Sequence, residues 1–163
     1  MVMENNFAVA FTGHRSYNNE ADAELKSQLE ELYARGYRRF LCGMAWGFDL
    51  AAGLAVLELK AWYDDVELVA VEPYSGFRDL FFSGAAELYD KLLDAADERV
   101  TVCDQGSLLA FFRRNDYLVD NAAVVVAWWN HIPKGGTAYT IKRAFKLGRK
   151  VVNLCPPQQM ELF

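Results

Sequence analysis

Along this chain, short apolar runs of strand length alternate with longer segments of helical spacing, and neither a repeat nor a low-complexity linker interrupts them. Residues 7–11 read as a first strand ending at Thr12-Gly13. Residues 21–33 read as a helix with Ala21, Leu25, Leu29 and Leu32 on one face, stopped by Gly36. A second strand, 39–42, runs into the loop 43–49, and an alanine-rich helix follows over 50–62. The third strand, 66–71, closes at Glu72-Pro73. A helix over 78–96 should turn Phe81, Leu88 and Leu92 inward, with a short strand after it at 100–103. Ser107 is the expected N-cap of a helix reaching about Asn121, and 123–128 is apolar on both faces, the pattern of a central parallel strand. A helix over 137–147, Gly148 as its C-cap, and a strand over 150–154 complete the pattern before Pro156-Pro157.

Strands joined through helices pair in parallel by right-handed crossovers. The expected architecture is therefore α/β, a Rossmann-like three-layer α/β/α sandwich with a mostly parallel, doubly wound sheet, in one domain over residues 1–163. In such sheets, ligands bind beyond the carboxyl ends of the strands where strand order reverses, so the strand-end loops hold the candidate site.

Composition removes several function classes. The start, Met1-Val2-Met3-Glu4-Asn5-Asn6, lacks the basic-then-apolar pattern of a secretory leader, so a cytoplasmic location is expected. The apolar run 122–129 is far below the roughly 20 residues that cross a bilayer, and no membrane association is expected. Cys42, Cys103 and Cys155 are odd in number and far apart, which suits free thiols and no metal site. A net charge of −5 disfavours the many phosphate contacts of sequence-independent binding, and so disfavours nucleic acid as a partner.

Lys134-Gly135-Gly136-Thr137 lies between an apolar strand and a helix start. Glycines admit close backbone approach, and a first helical turn offers unpaired N–H groups to an anion, so this loop is suited to a phosphate. Thr137 can add a hydroxyl, or serve as an ordinary N-cap. Thr12-Gly13-His14-Arg15 follows the first strand, with Arg15 able to grip phosphate or carboxylate in bidentate fashion and His14 a loop donor or packing residue. In Gly43-Met44-Ala45-Trp46-Gly47-Phe48-Asp49 the two glycines match neither a full phosphate loop nor a dinucleotide fingerprint. Asp49 is either an N-cap or a partner for a ribose hydroxyl or a metal-bound water. Glu72 is a further carboxylate expected at the same sheet edge. Asn115 falls on the helical face of Phe111 and Leu118 and needs a partner, either loop backbone or a pocket shaped together with Arg114. Trp128 and Trp129 stand at a strand end, open to base stacking, core packing or self-association.

Taken together, Phe11-Thr12-Gly13-His14-Arg15, the loop Gly43 to Asp49, Arg114-Asn115 with Val119-Asp120, and Gly135-Gly136-Thr137 resemble the YpsA-like (DUF1273-type) branch of the SLOG superfamily. The resemblance covers nearly the whole chain. It implies a Rossmann-like domain for nucleotides or nucleotide-derived ligands, related more distantly to LOG-type phosphoribohydrolases and to DprA-like Rossmann domains. LOG enzymes carry E-R-K-x-x-M-x-x-x-A-D, a strand, then P-G-G-x-G-T-x-x-E. On that pattern Arg114 matches the arginine, Asn115 stands on the lysine and Gly136-Thr137 match G-T. The final glutamate has no counterpart in Ala138, Tyr139 or Thr140. The phosphate-holding half is present and the carboxylate half is absent, which favours binding over hydrolysis.

The expected function is thus binding of a nucleotide or nucleotide-derived ligand at the C-terminal edge of the sheet, as a sensor or regulator. Ligand contacts are expected from Thr12, Gly13, His14, Arg15, Gly43, Met44, Gly47, Asp49, Glu72, Arg114, Asn115, Gly135, Gly136 and Thr137. No cofactor is required beyond such a ligand, with magnesium a candidate companion of its phosphate. Two other readings stay open: a nucleotide hydrolase with Arg114, Glu72 or Asp49 as catalytic groups, and a DprA-like nucleic-acid-binding module. A homo-oligomer fits the family and the tryptophans.

Overall fold

The computed structural model describes residues 7–157, and the amino-terminal hexapeptide on which the leader expectation rests lies outside them. The elements run β1 (Ala8–Gly13), α1 (Asp22–Ala34), β2 (Arg39–Cys42), α2 (Phe48–Trp62), β3 (Glu67–Tyr74), α3 (Ser83–Ala95), β4 (Glu98–Cys103), α4 (Leu108–Asp120), β5 (Val124–Trp128), α5 (Gly136–Lys146) and β6 (Lys150–Asn153). The strands form one six-stranded parallel sheet in the order β4-β3-β2-β1-β5-β6. This is the expected Rossmann-like α/β fold.

Alternation along the strands builds the two helical layers. Val9, Phe11, Phe40, Leu68, Ala70 and Val126 face Leu25, Leu29, Val56 and Leu92 of α1, α2 and α3 in the larger core. Ala8, Ala10, Leu41, Val69 and Val71 face Leu118 and Ala122 at α4, while Val125 meets Val119 and Ala144 of α4 and α5. Burying both faces explains why 123–128 reads as continuously apolar.

Two elements differ from the pattern in the sequence. The helix expected over 78–96 is divided: a 3-10 turn spans Phe77–Leu80, Phe81 and Phe82 are extended or nearly so at the junction, and α3 begins at Ser83. Strand β3 continues through Glu72-Pro73 to Tyr74. It can do so because its pairing with β2 ends at Cys42↔Ala70, so Pro73 lies beyond that neighbour and its missing N–H breaks no ladder there.

Candidate functional site

Strand order reverses between β1 and β5, because the chain steps outward from β1 to β4 and then returns to the other side of β1. A cleft of about 390 Å³ opens at that point, on the α4–α5 face, within the roughly 300–1,000 Å³ of small-molecule sites. The β1 end supplies Thr12 through Arg15, the start of α5 supplies Lys134 through Thr137, and α4 supplies Arg114 and Asn115.

Helix α5 starts at Gly136, and its N-cap is Gly135, at φ +93° and ψ −179°, a conformation that is essentially restricted to glycine. Thr137 is inside the first turn and is not the N-cap. No side chain caps this helix, and the first intrahelical bond, Tyr139 N–H to Gly135 O at 3.1 Å, leaves the preceding N–H groups free of helical partners. A Cβ on Gly135 would meet nothing within 4 Å, and one on Gly136 only Asn115 Nδ2 at 3.5 Å, so open space lies before the helix dipole.

Beneath that space, Arg114 is 6% exposed, donates from Nη1 to Gly43 O at 2.6 Å and from Nε to Asn115 Oδ1 at 2.8 Å. Both sequence-based roles for Asn115 are thus partly met through Arg114, which reaches the loop backbone itself. Asp49, 5% exposed, is not the N-cap of α2; Gly47 is. Asp49 Oδ2 accepts from Ala45 N–H at 3.1 Å and holds the 43–49 loop closed. Burial pushes the Asp49 carboxyl up to about 6, against the opposing pull of Arg114 and the Ala45 N–H. The same burial disfavours the charged Arg114, which Asp49 in turn favours. His14 Nε2 accepts from Asn130 N–H at 3.1 Å, which requires the proton on Nδ1, and burial holds its pKa below the usual 6.5.

Of the residues named from sequence, Thr12, Gly13, His14, Arg15, Asp49, Arg114, Asn115, Gly135, Gly136 and Thr137 converge on the cleft. Four do not line it. Glu72 takes the strand parity of Leu68 and Ala70, faces α3, and accepts a hydrogen bond from Tyr89, so it lies across the sheet from the cleft. Met44 is fully buried in the larger core. Gly43 supports the site from behind: a Cβ there would stand 2.9 Å from Asp49 Oδ2 and 3.1 Å from Arg114 Cδ. Gly47, at φ +85°, lets the loop pass beneath the β1 end, where a Cβ would lie 2.6 Å from the carbonyl oxygens of His14 and Arg15.

Trp128 packs edge-on against Tyr17 and His14, and Trp129 Nε1 donates to Ile132 O at 2.9 Å; neither lines the cleft. Leu108, Phe111 and Phe112 form an apolar wall, of which only Phe111, on the helical face of Asn115, was marked by the sequence. Ser107 Oγ accepts from Ala110 N–H at 3.2 Å and thereby starts α4 beside the site. Among the described residues, no three His, Cys, Asp or Glu side chains gather as a metal site, all three cysteines are free, and no helix is long and apolar enough to cross a membrane.

These features define a doubly wound α/β domain with a polar cleft at its switch point. The profile of the YspA SLOG family matches residues 9–153, and the chain belongs to that family. No curated protein matches it. Among solved structures, it is similar to DNA processing protein A (DprA) of Streptococcus pneumoniae, with 20% identity over 88% of this chain and 48% of that one, at a TM-score of 0.63. It is also similar to DNA processing protein A of Helicobacter pylori, described for its single-stranded DNA binding mode, with 16% identity over 91% of this chain and 65% of that one, at a TM-score of 0.66. The chain therefore spans between about half and two thirds of these neighbours, and the likeness shows a common fold. The Helicobacter protein also overturns the expectation that nucleic acid is disfavoured as a partner. That expectation rested on the net charge of the whole chain, which says nothing of the charge at any one place on its surface.

Proposed function

We propose that this protein binds a nucleotide or nucleotide-derived ligand in the cleft, with phosphate against the first turn of α5, and acts as a sensor or regulator. The observation that carries this reading is where the buried polar side chains lie. Thr12, Asp49, Arg114, Asn115 and Thr137 are each less than 9% exposed and all border the cleft. Among the described residues no buried side-chain nitrogen or oxygen lacks a partner: Arg114 donates to Asn115 and to Gly43 O, and Asp49 accepts from Ala45 N–H. Polar side chains already held in place by one another and gathered at one cavity suit a polar ligand. Arg15 and Lys134 at the rim add positive charge, and Asp49 on the floor suits a ribose hydroxyl better than a phosphate.

Calorimetry against mononucleotides, dinucleotides and ADP-ribose tests the reading. Gly136→Asp places a carboxylate before the α5 dipole, and binding should fall at least about tenfold, the effect of roughly 1.4 kcal/mol. No binding by any of them, or binding unaffected by the substitution, would sink the proposal. Product analysis should return the ligand intact, since α5 carries no carboxylate where LOG enzymes do; turnover would favour a hydrolase using Asp49.

The Helicobacter neighbour favours a second reading, in which the cleft takes a backbone phosphate of single-stranded nucleic acid. Its signature is affinity for an oligodeoxynucleotide that falls steeply with salt.

A further inference from the structure

We propose that a second cavity, lined by Arg15, Trp46, Phe77, Leu80 and Phe81, is a base-binding subsite, so that the preferred ligand carries two bases joined through phosphate. This rests on the phosphate reading of the cleft and extends it. The cavity measures about 310 Å³, and apart from Arg15 its lining is entirely aromatic or aliphatic.

Continuity with the cleft supports the assignment. Arg15 borders both cavities. Ala45 lines the cleft, and the next residue, Trp46, lines the second cavity. Phe77 of the second cavity packs edge-on against Phe111 of the cleft, with ring centroids 5.7 Å apart. The polar cleft and the apolar chamber thus flank one guanidinium, which can pair with a phosphate joining their occupants and stack on a base.

The chamber is also built to stay open. Phe77 and Phe81 pack against the buried Tyr89, with centroids at 6.1 and 5.0 Å, which anchors its floor to the core. Trp46 is held by Phe82, with centroids 3.6 Å apart and ring planes at 70°. The break between the 3-10 turn and α3 brings these side chains together, and it leaves Leu80 64% and Phe82 56% exposed. Large apolar side chains grouped in water beside a polar cleft mark a binding surface.

The test compares AMP, the dinucleotide pApA and a short oligodeoxyadenylate, using calorimetry and tryptophan fluorescence on the full chain. The expectation is that pApA binds at least about tenfold tighter than AMP. Trp46→Ala and Leu80→Asp should each weaken pApA about tenfold while changing AMP binding less than about twofold, in line with the loss of one stacked base. Leu80 is exposed, so Leu80→Asp reports on the subsite even if Trp46→Ala perturbs folding. Oligodeoxyadenylate binding as tightly as pApA identifies the two bases as part of a single strand; weaker binding identifies a free dinucleotide. If pApA binds no tighter than AMP, or the variants weaken both equally, the second subsite is overturned while the cleft reading stands. If neither binds, or Gly136→Asp leaves both unchanged, the cleft reading falls and takes the subsite with it.

Discussion

Asp49 combines near-complete burial with a charged neighbour, and its titration makes the floor of the cleft measurable. Its carboxyl is held at about 6 in the folded protein and titrates near 3.8 when unfolded. Between about pH 4 and pH 6 the folded state therefore binds more protons, so its contribution to stability falls as pH rises through that window. Asp65 and Asp90 are held low by Tyr33 and Arg78 and act in the opposite sense below about pH 4, as does His14, held low by burial, below its usual 6.5, so the difference between wild type and Asp49→Asn isolates the Asp49 part. Asp49→Asn should flatten the pH 4–6 decline, whose amplitude is of order 2–3 kcal/mol, with part of the neutral-pH gain offset because Arg114 loses its countercharge. Urea unfolding from pH 4 to pH 7 measures this, and an unchanged slope would refute it. The sequence marked Asp49 and Arg114 as polar residues at the right elements. It could not show that the two lie buried side by side, because that depends on Gly43 admitting both over the end of β2.

Helices α4 and α5 both start at the cleft and are finished differently. Ser107 satisfies an N–H of α4, whereas Gly135 leaves the first turn of α5 to whatever occupies the site. Ser107→Ala should cost about 1 kcal/mol of stability in denaturant unfolding and leave ligand affinity unchanged, since its oxygen serves α4 alone. A change in affinity would show that the cap also positions the apolar wall. Most elements were legible because hydrophobic period and caps are local properties of the chain. The exception, 78–96, keeps helical spacing through Phe81 and Leu88, yet the backbone breaks at Phe81-Phe82. Packing of Phe77 and Phe81 on Tyr89 and of Phe82 on Trp46 outweighs helical continuity there, and periodicity carries no trace of that contact.

For the whole molecule, a ligand bound only by the folded state should raise stability by about 2.7 kcal/mol at a concentration one hundred times its Kd. At this chain length that amounts to a rise of about 5–10 °C in Tm, and differential scanning fluorimetry at the same ligand concentration should find it cut to about half or less in Gly136→Asp. A ligand that binds without shifting Tm would have to bind the unfolded chain equally well. The sequence by itself determined the order of strands and helices, the parallel sheet and the glycine loops, since each follows from local period, turn chemistry and crossover handedness. Only the tertiary structure decided which of those loops share a site. The return of the chain from β4 to β5 sets the Gly135-Gly136 turn beside Thr12 and Gly13, and strand parity sends Glu72 to Tyr89 on the opposite face. Both outcomes depend on contacts between residues far apart in the chain, which no local pattern records.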